Sequence, residues 1–269
     1  MRIAALCLFL SVAVAAKVRP PAETITVHSN VAVSMRDGVT LFADVYRPAR
    51  DGRFPVLIVR TPYGKQRDNI HKNLVDFARR GYAVVSQDVR GRFESGGQWD
   101  PFRFDAQDGY DTVEWAAKQP WSNGKVGMFG GSYLGFVQWQ AAAQTPPSLV
   151  AIFPAVAATS VYHNSRYHGG AFKLGLSVGW GVVRNPRRIM YPQWWHTDPA
   201  APEEWRYSNI FWHLPVKDMD LVSSNQRVPH FQNWVKHQSF DDYWKSISID
   251  DRFASVKVPA HVHGGSTCC

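Results

Sequence analysis

The sequence predicts an α/β fold, with a mostly parallel sheet, helices on both faces and an antiparallel hairpin leading in. Three observations carry this. Short continuous apolar runs recur at residues 56–59, 83–85, 126–129 and 150–153, as strands buried on both sides require. Helix-length segments separate them, so successive strands are joined by crossovers and run parallel. The stretch 24–47 instead alternates apolar and polar residues around Asp37-Gly38, a hairpin signal.

Taken in order, Ile25, Val27, Val31 and Val33 precede the break at Asp37-Gly38, and Val39, Leu41, Ala43 and Val45 follow it. Val56-Leu57-Ile58-Val59 is the first buried run. Residues 69–80 read as a helix ended by Gly81, a left-handed cap residue. Ala83-Val84-Val85, closed by Asp88, is the second run. Ala106 to Gln119 reads as a helix stopped by Pro120, and Ser122-Asn123-Gly124 as a turn. Val126-Gly127-Met128-Phe129 is the third run, Leu134 to Gln144 a helix, and Val150-Ala151-Ile152-Phe153 the fourth run.

The rhythm is lost after about residue 158. Residues 159–245 are rich in Trp, His, Arg and Pro and read as short helices and loops, a helical cap inserted over the sheet. Val256 to Val262 reads as a strand that returns to it. The expected organisation is a core from 24–158 and 246–265, a cap from 159–245, and a leader over 1–16.

Composition narrows the possibilities. The chain has 269 residues, enough for one large domain carrying an insertion. Most of its 11 Trp fall after residue 175, which suits either core filling or the walls of an apolar pocket. The net charge of +8 is partly carried by Arg2, Lys17 and Arg19 and by Arg184, Arg187 and Arg188. No long Lys/Arg run or nucleic-acid motif accompanies it, so the charge reads as solvated surface and nucleic acid is not an expected partner. Arg2, an apolar stretch from Ile3 to Ala16 too short to span a bilayer, and the small residues Ala13 and Ala15 read as a signal peptide. The expectation is cleavage near Ala15 or Ala16 and a secreted or periplasmic protein with no membrane attachment afterwards. Cleavage would leave only the adjacent pair Cys268 and Cys269, which cannot staple distant segments. No metal-ligand spacing is present, and no metal, nucleotide or flavin cofactor is implied.

The chemistry centres on Phe129-Gly130-Gly131-Ser132-Tyr133-Leu134-Gly135, where the third buried run meets a helix. A serine on a sharp strand-to-helix turn is held with its hydroxyl exposed, and its neighbours must be small. The helix behind it aims backbone N–H groups at a developing oxyanion. A nucleotide-binding reading of the glycines has little support, because no G-x-G-x-x-G follows the first strand.

Here the sequence resembles the X-Pro dipeptidyl-peptidase / cocaine-esterase (CocE/NonD) family of α/β-hydrolases, whose nucleophile lies in G-x-S-Y-x-G, matched by Gly130 to Gly135. Further stretches share the likeness: Met35 to Leu41, Arg60-Thr61-Pro62-Tyr63, Gln87 to Gly91, and Glu114-Trp115 through Gly127. The resemblance implies an α/β-hydrolase fold with Ser132 as nucleophile. It implies the backbone N–H of Tyr133 and the hydroxyl of Tyr63 as oxyanion donors. Losing such a donor typically costs ~3–4 kcal/mol of transition-state stabilisation. Asp88, Arg90 and Asp111 read as turn and salt-bridge residues.

A serine hydroxyl needs a general base. In the resembling family an Asp follows the returning strand, in a stretch like G-G-W-Y-D, and a His comes later. Here Val258 to Gly265 follows that lead-in, and then the chain reads Ser266-Thr267-Cys268-Cys269. The fold is therefore expected to be truncated at the C-terminus, without the catalytic Asp and His. His163, His168, His261 and His263 read as structural or surface residues. The first functional reading is a serine hydrolase acting on a small-molecule acyl ester, amide or short peptide, Xaa-Pro peptides among them. The alternative is an inactive fragment or binding module. In the family, α-amino acid ester hydrolases hold an ammonium with a carboxylate cluster. The matching stretch here, Tyr162 to His168, has no acid, and Arg166 would repel an ammonium, so a neutral ester or amide is favoured.

Overall fold

The computed structural model describes residues 23–182 and 211–264. The leader, the Arg184, Arg187 and Arg188 cluster and the two C-terminal cysteines lie outside the described residues.

The six strands are β1 (Ile25–Ser34), β2 (Thr40–Pro48), β3 (Phe54–Thr61), β4 (Ala83–Asp88), β5 (Ser122–Gly131) and β6 (Leu149–Ala155), in the sheet order β1-β2-β4-β3-β5-β6. β1 pairs antiparallel with β2, and β2 with β4. The pairings of β3 with β4, β3 with β5, and β5 with β6 are parallel. The helices α1 (Asp68–Ala78), α2 (Asp105–Ala117) and α3 (Tyr133–Ala142) make the crossovers. The predicted mostly parallel sheet with an antiparallel entry is thus the observed one.

The alternation of side chains along the central strands explains the two-sided core. Val56 and Ile58 of β3 and Ala83 and Val85 of β4 pack with Val113 and Ala116 of α2. Their neighbours Val59 and Val84 pack in a second cluster with Leu74 and Ala78 of α1. All six residues of β4 are buried, because both faces of this central strand are covered.

Two local details differ from the sequence reading. The first hairpin turns through three residues rather than two: Met35 N–H donates to Val39 O at 2.8 Å, and Gly38 N–H to Met35 O at 3.0 Å. Gly38 takes φ +84° at the end of the turn, the left-handed position such a loop requires. The Ser122-Asn123-Gly124 turn is absorbed into β5, where Ser122 pairs with Phe54 of β3.

After β6 the chain forms a π-helical turn (Val161–Arg166), a two-residue strand pair, and a second π-helical turn (Ser177–Val182). Beyond residue 210 come three short helices, Met219–Ser224, Pro229–Lys236 and Asp242–Ile247. The chain then runs parallel beside β6 through bridges at Ala260 and His263. His261 N–H donates to Ile152 O and His263 N–H to Pro154 O. No helix among the described residues is long and apolar enough to cross a membrane.

Candidate active site

The sequence around residue 132 builds a sharp bend where β5 meets α3. Ser132 takes φ 58° and ψ −124°, a conformation an L-residue rarely adopts. Its N–H donates to Ala155 O at 2.9 Å, and its carbonyl accepts from the N–H groups of Gly135 and Phe136. The flanking glycines are forced by contact. Gly130 has φ +137°, and a Cβ there would lie 2.7 Å from the Cβ of Leu134. A Cβ at residue 135 would lie 2.6 Å from the Cβ of Ala157 and 3.1 Å from Gly130 O. This explains a glycine three residues after the serine: the first turn of α3 rests directly on the chain leaving β6.

Ser132 is exposed and stands over a cavity of about 710 Å³ that Tyr133 and Tyr63 also line. That volume falls within the ~300–1,000 Å³ of small-molecule sites. The structure therefore brings together all three residues singled out from the sequence. The internal bonds of α3 begin with Gly135 and Phe136 donating to Ser132 O, and the Tyr133 N–H lies ahead of them, at the helix start beside Ser132.

The side chain of Tyr133 is pinned from below. Its hydroxyl donates to Asp105 Oδ2 at 2.5 Å and accepts from Phe102 N–H at 3.3 Å. Its ring stacks on Phe102, with centroids 4.7 Å apart. Burial raises the pKa of both partners, so the Tyr133 phenol stays protonated. Asp105 meets Arg60 Nη1 at 3.2 Å, and Arg60 Nε donates to Gln87 Oε1 at 2.9 Å. An ion-paired platform thus underlies the start of α3.

Tyr63 follows β3 in a loop closed by its own N–H donating to Thr61 Oγ1 at 3.0 Å. Its hydroxyl accepts from Trp180 Nε1 at 3.0 Å, which fixes the ring. The loops around it are tied by ion pairs. Lys65 meets Asp88 at 3.1 Å, Arg90 meets Asp108 at 2.6 Å and Asp37 at 2.7 Å, and Arg36 meets Asp111 at 2.7 Å. Asp88, Arg90 and Asp111 are therefore salt-bridge residues, as the sequence suggested. Burial pushes the Asp88 carboxyl up to about 6 even beside Lys65.

The sequence reading missed Trp180, Asp105 and Phe102. Trp180 belonged to a Trp-rich segment whose individual members could not be told apart. Asp105 lay at a helix start, where an acid is ordinary capping chemistry. No histidine is among the described residues that line the cavity. His261 stacks on Phe153 at 5.0 Å, and His163 sits against Tyr162 and Phe240. Gly264, the last described residue, lines the cavity.

A mostly parallel sheet with this strand order, a strained serine between β5 and α3, and a cavity beside that serine define an α/β-hydrolase. The chain belongs to the X-Pro dipeptidyl-peptidase (S15 family), whose family model matches residues 37–267. The cocaine esterase of Rhodococcus sp. (strain MB1 Bresler) is 37% identical over 258 residues, which cover 89% of this chain and 44% of that protein. An aminopeptidase structure from a marine sediment Thaumarchaeota archaeon superposes with a TM-score of 0.74 at 23% identity, covering 96% of this chain and 46% of that one. A CocE/NonD family hydrolase from Staphylococcus aureus superposes with a TM-score of 0.63 at 25% identity, covering 87% and 40%. The chain thus spans less than half the length of these relatives.

Proposed function

We propose that this chain carries the nucleophile, oxyanion site and substrate cavity of a serine hydrolase that cleaves acyl ester or amide bonds, Xaa-Pro peptides among them. The observation that carries this reading is the strained, exposed Ser132 at the start of α3, opening on the same cavity as Tyr63. Ser132 Oγ attacks the carbonyl carbon, and the carbonyl π electrons move onto oxygen. The resulting alkoxide is met by the Tyr133 N–H and the Tyr63 O–H. Collapse expels the alcohol or amine and leaves an acyl ester on Ser132, which water then cleaves. The serine proton must pass to a base, and that base must deliver it to the leaving group as the tetrahedral intermediate collapses.

Residues 159–245 serve in this reading as the cap that walls the cavity. Support comes from Trp180, which reaches down to Tyr63. The apolar N-terminal stretch supports export, with the mature protein acting outside the cytoplasm.

A second reading is favoured by one observation: no histidine is among the described residues around Ser132. A chain with nucleophile and oxyanion donors but no base would bind substrate without turning it over. Treatment with a fluorophosphonate and peptide mapping tests the first reading. The expected result is a label on Ser132 that Ser132→Ala abolishes; label elsewhere, or none, sinks it. Ester turnover lost in Ser132→Ala would rule out the inactive reading, and labelling without turnover would favour it.

A further inference from the structure

A cation is buried in the cavity wall with no counter-charge beside it among the described residues. Arg166 is 1% exposed, yet it lines the cavity. Its guanidinium carbon lies 4.8 Å from the ring centroid of Trp180 and 4.0 Å from that of Trp234. Neither its Nε nor its Nη1 has a hydrogen-bond partner among the described residues. Indole faces attract a guanidinium but accept none of its in-plane hydrogen bonds. A buried charge left this way is costly unless something completes it.

The described remainder of the wall supplies no negative charge. Lys173 lines the same cavity, and no Asp or Glu is among its described lining residues. Among the described residues, the titratable groups that face Arg166 from other elements are neutral. Tyr243 is held protonated by burial, and His230 is pushed down to about 3, largely by burial and further by Arg166. Burial lowers Arg166 itself to about 9, so it remains a cation at neutral pH. Phe102, Phe136, Leu176 and Trp180 supply apolar surface for a carbon skeleton.

We propose that the cavity selects substrates bearing a carboxylate, which Arg166 receives through paired N–H···O bonds while Lys173 adds charge. The planar guanidinium fork matches a planar carboxylate in a way that an ammonium does not. The inference rests on the hydrolase reading for what happens next, but its binding step stands apart from the chemistry.

The test uses the intact chain. Hexanoate, hexanamide and hexylammonium are titrated in turn, with tryptophan fluorescence as the signal, since Trp180 and Trp234 flank the guanidinium. Hexanoate should bind at least ~10-fold more tightly than hexanamide, as expected for a charged hydrogen-bonding partner, with hexylammonium weakest. Arg166→Gln should erase the preference, Arg166→Lys should restore part of it, and Lys173→Gln should reduce it. If Arg166→Gln fails to fold, the wild-type preference and the Lys173→Gln variant decide. Equal binding of hexanoate and hexanamide by the wild type overturns the proposal.

Whether the carboxylate lies on the acyl or the leaving side is read from protection of Ser132 against the fluorophosphonate. Methyl hydrogen adipate carries it on the acyl side, and hexanoyloxyacetate on the leaving side. Stronger protection by either than by neutral dimethyl adipate supports the proposal and identifies the side; equal protection overturns it. Labelling of Ser132 without anion preference defeats this inference alone. Anion preference without labelling defeats the hydrolase reading alone.

Discussion

At residue 132 the backbone occupies a region that costs an L-residue ~1–3 kcal/mol, and it persists only because its surroundings fix it. The bonds from Ser132 N–H to Ala155 O and from two helix amides to Ser132 O are that constraint. A similar argument applies to the buried His230. Its Nε2 bonds Gly181 O at 2.7 Å, and its ring packs against Trp99 and Trp234. Burial, with Arg166 and Arg92 nearby, lowers it from 6.5 to about 3. Above pH 6.5 it is neutral folded and unfolded alike. As the pH falls below 6.5 the unfolded chain takes up a proton that the folded chain refuses, so stability drains away until about pH 3. The whole window is worth on the order of 5 kcal/mol. Asp88 and Asp100, both raised to about 6 chiefly by burial, act with the opposite sign: each loses stability as the pH rises from the unfolded carboxylate value to about 6. The prediction is therefore a difference. His230→Gln, which can keep the bond to Gly181 O but does not titrate, should lose less stability than wild type between pH 7 and pH 4.5 in urea unfolding. Identical losses would refute it.

At the scale of elements, α3 is the part on which the site depends. All ten of its residues are buried, a pattern that belongs to a helix enclosed on every side. Its two buried glutamines are held by specific bonds. Gln138 bonds the carbonyls of Gly130 and Leu134 and accepts from Phe153 N–H; Gln140 donates to Phe102 O and Ile247 O. Gln138 thus ties the bend to β6, and Gln140 ties α3 to the helical segment after it. Gly135 sets how close the helix comes. Gly135→Ala would press a methyl carbon to 2.6 Å from Ala157, forcing backbone to move. Overpacking of this kind costs ~1–3 kcal/mol. The shift falls on the turn that carries Ser132 and the Tyr133 amide, so fluorophosphonate labelling of Ser132 should slow well beyond what the stability loss alone predicts. A variant that is destabilised yet labels at the wild-type rate would show that the spacing of α3 does not set the site.

Over the whole molecule, what could be read in advance follows the range of the interactions. The strands of the sheet were legible because burial on two faces leaves continuous apolar runs, as in Ala83-Val84-Val85. Ser132 was legible because its glycines are dictated within a few residues. The wall of the cavity was not, because Trp180 meets Tyr63 across 117 positions and Arg166 earns its meaning only from rings at 180 and 234. The returning segment lies between these cases: its apolar alternation was visible, but its partner was not. It now covers the edge of β6, with Ile152 N–H donating to Pro259 O at 3.1 Å and Val156 N–H to His263 O at 2.7 Å. An uncovered strand edge presents open amides to water and to other chains. Ending the chain after Ser255 removes both acceptors while leaving β3, β4 and β5 paired as before. Hydrogen exchange should then accelerate at Ile152 and Val156 and stay slow at Ile58 and Val85 in the sheet centre, because opening there still requires the whole core to open. Acceleration at all four amides would mean that the returning segment supports global stability; unchanged protection at Ile152 and Val156 would mean that it does not pair with β6 in solution.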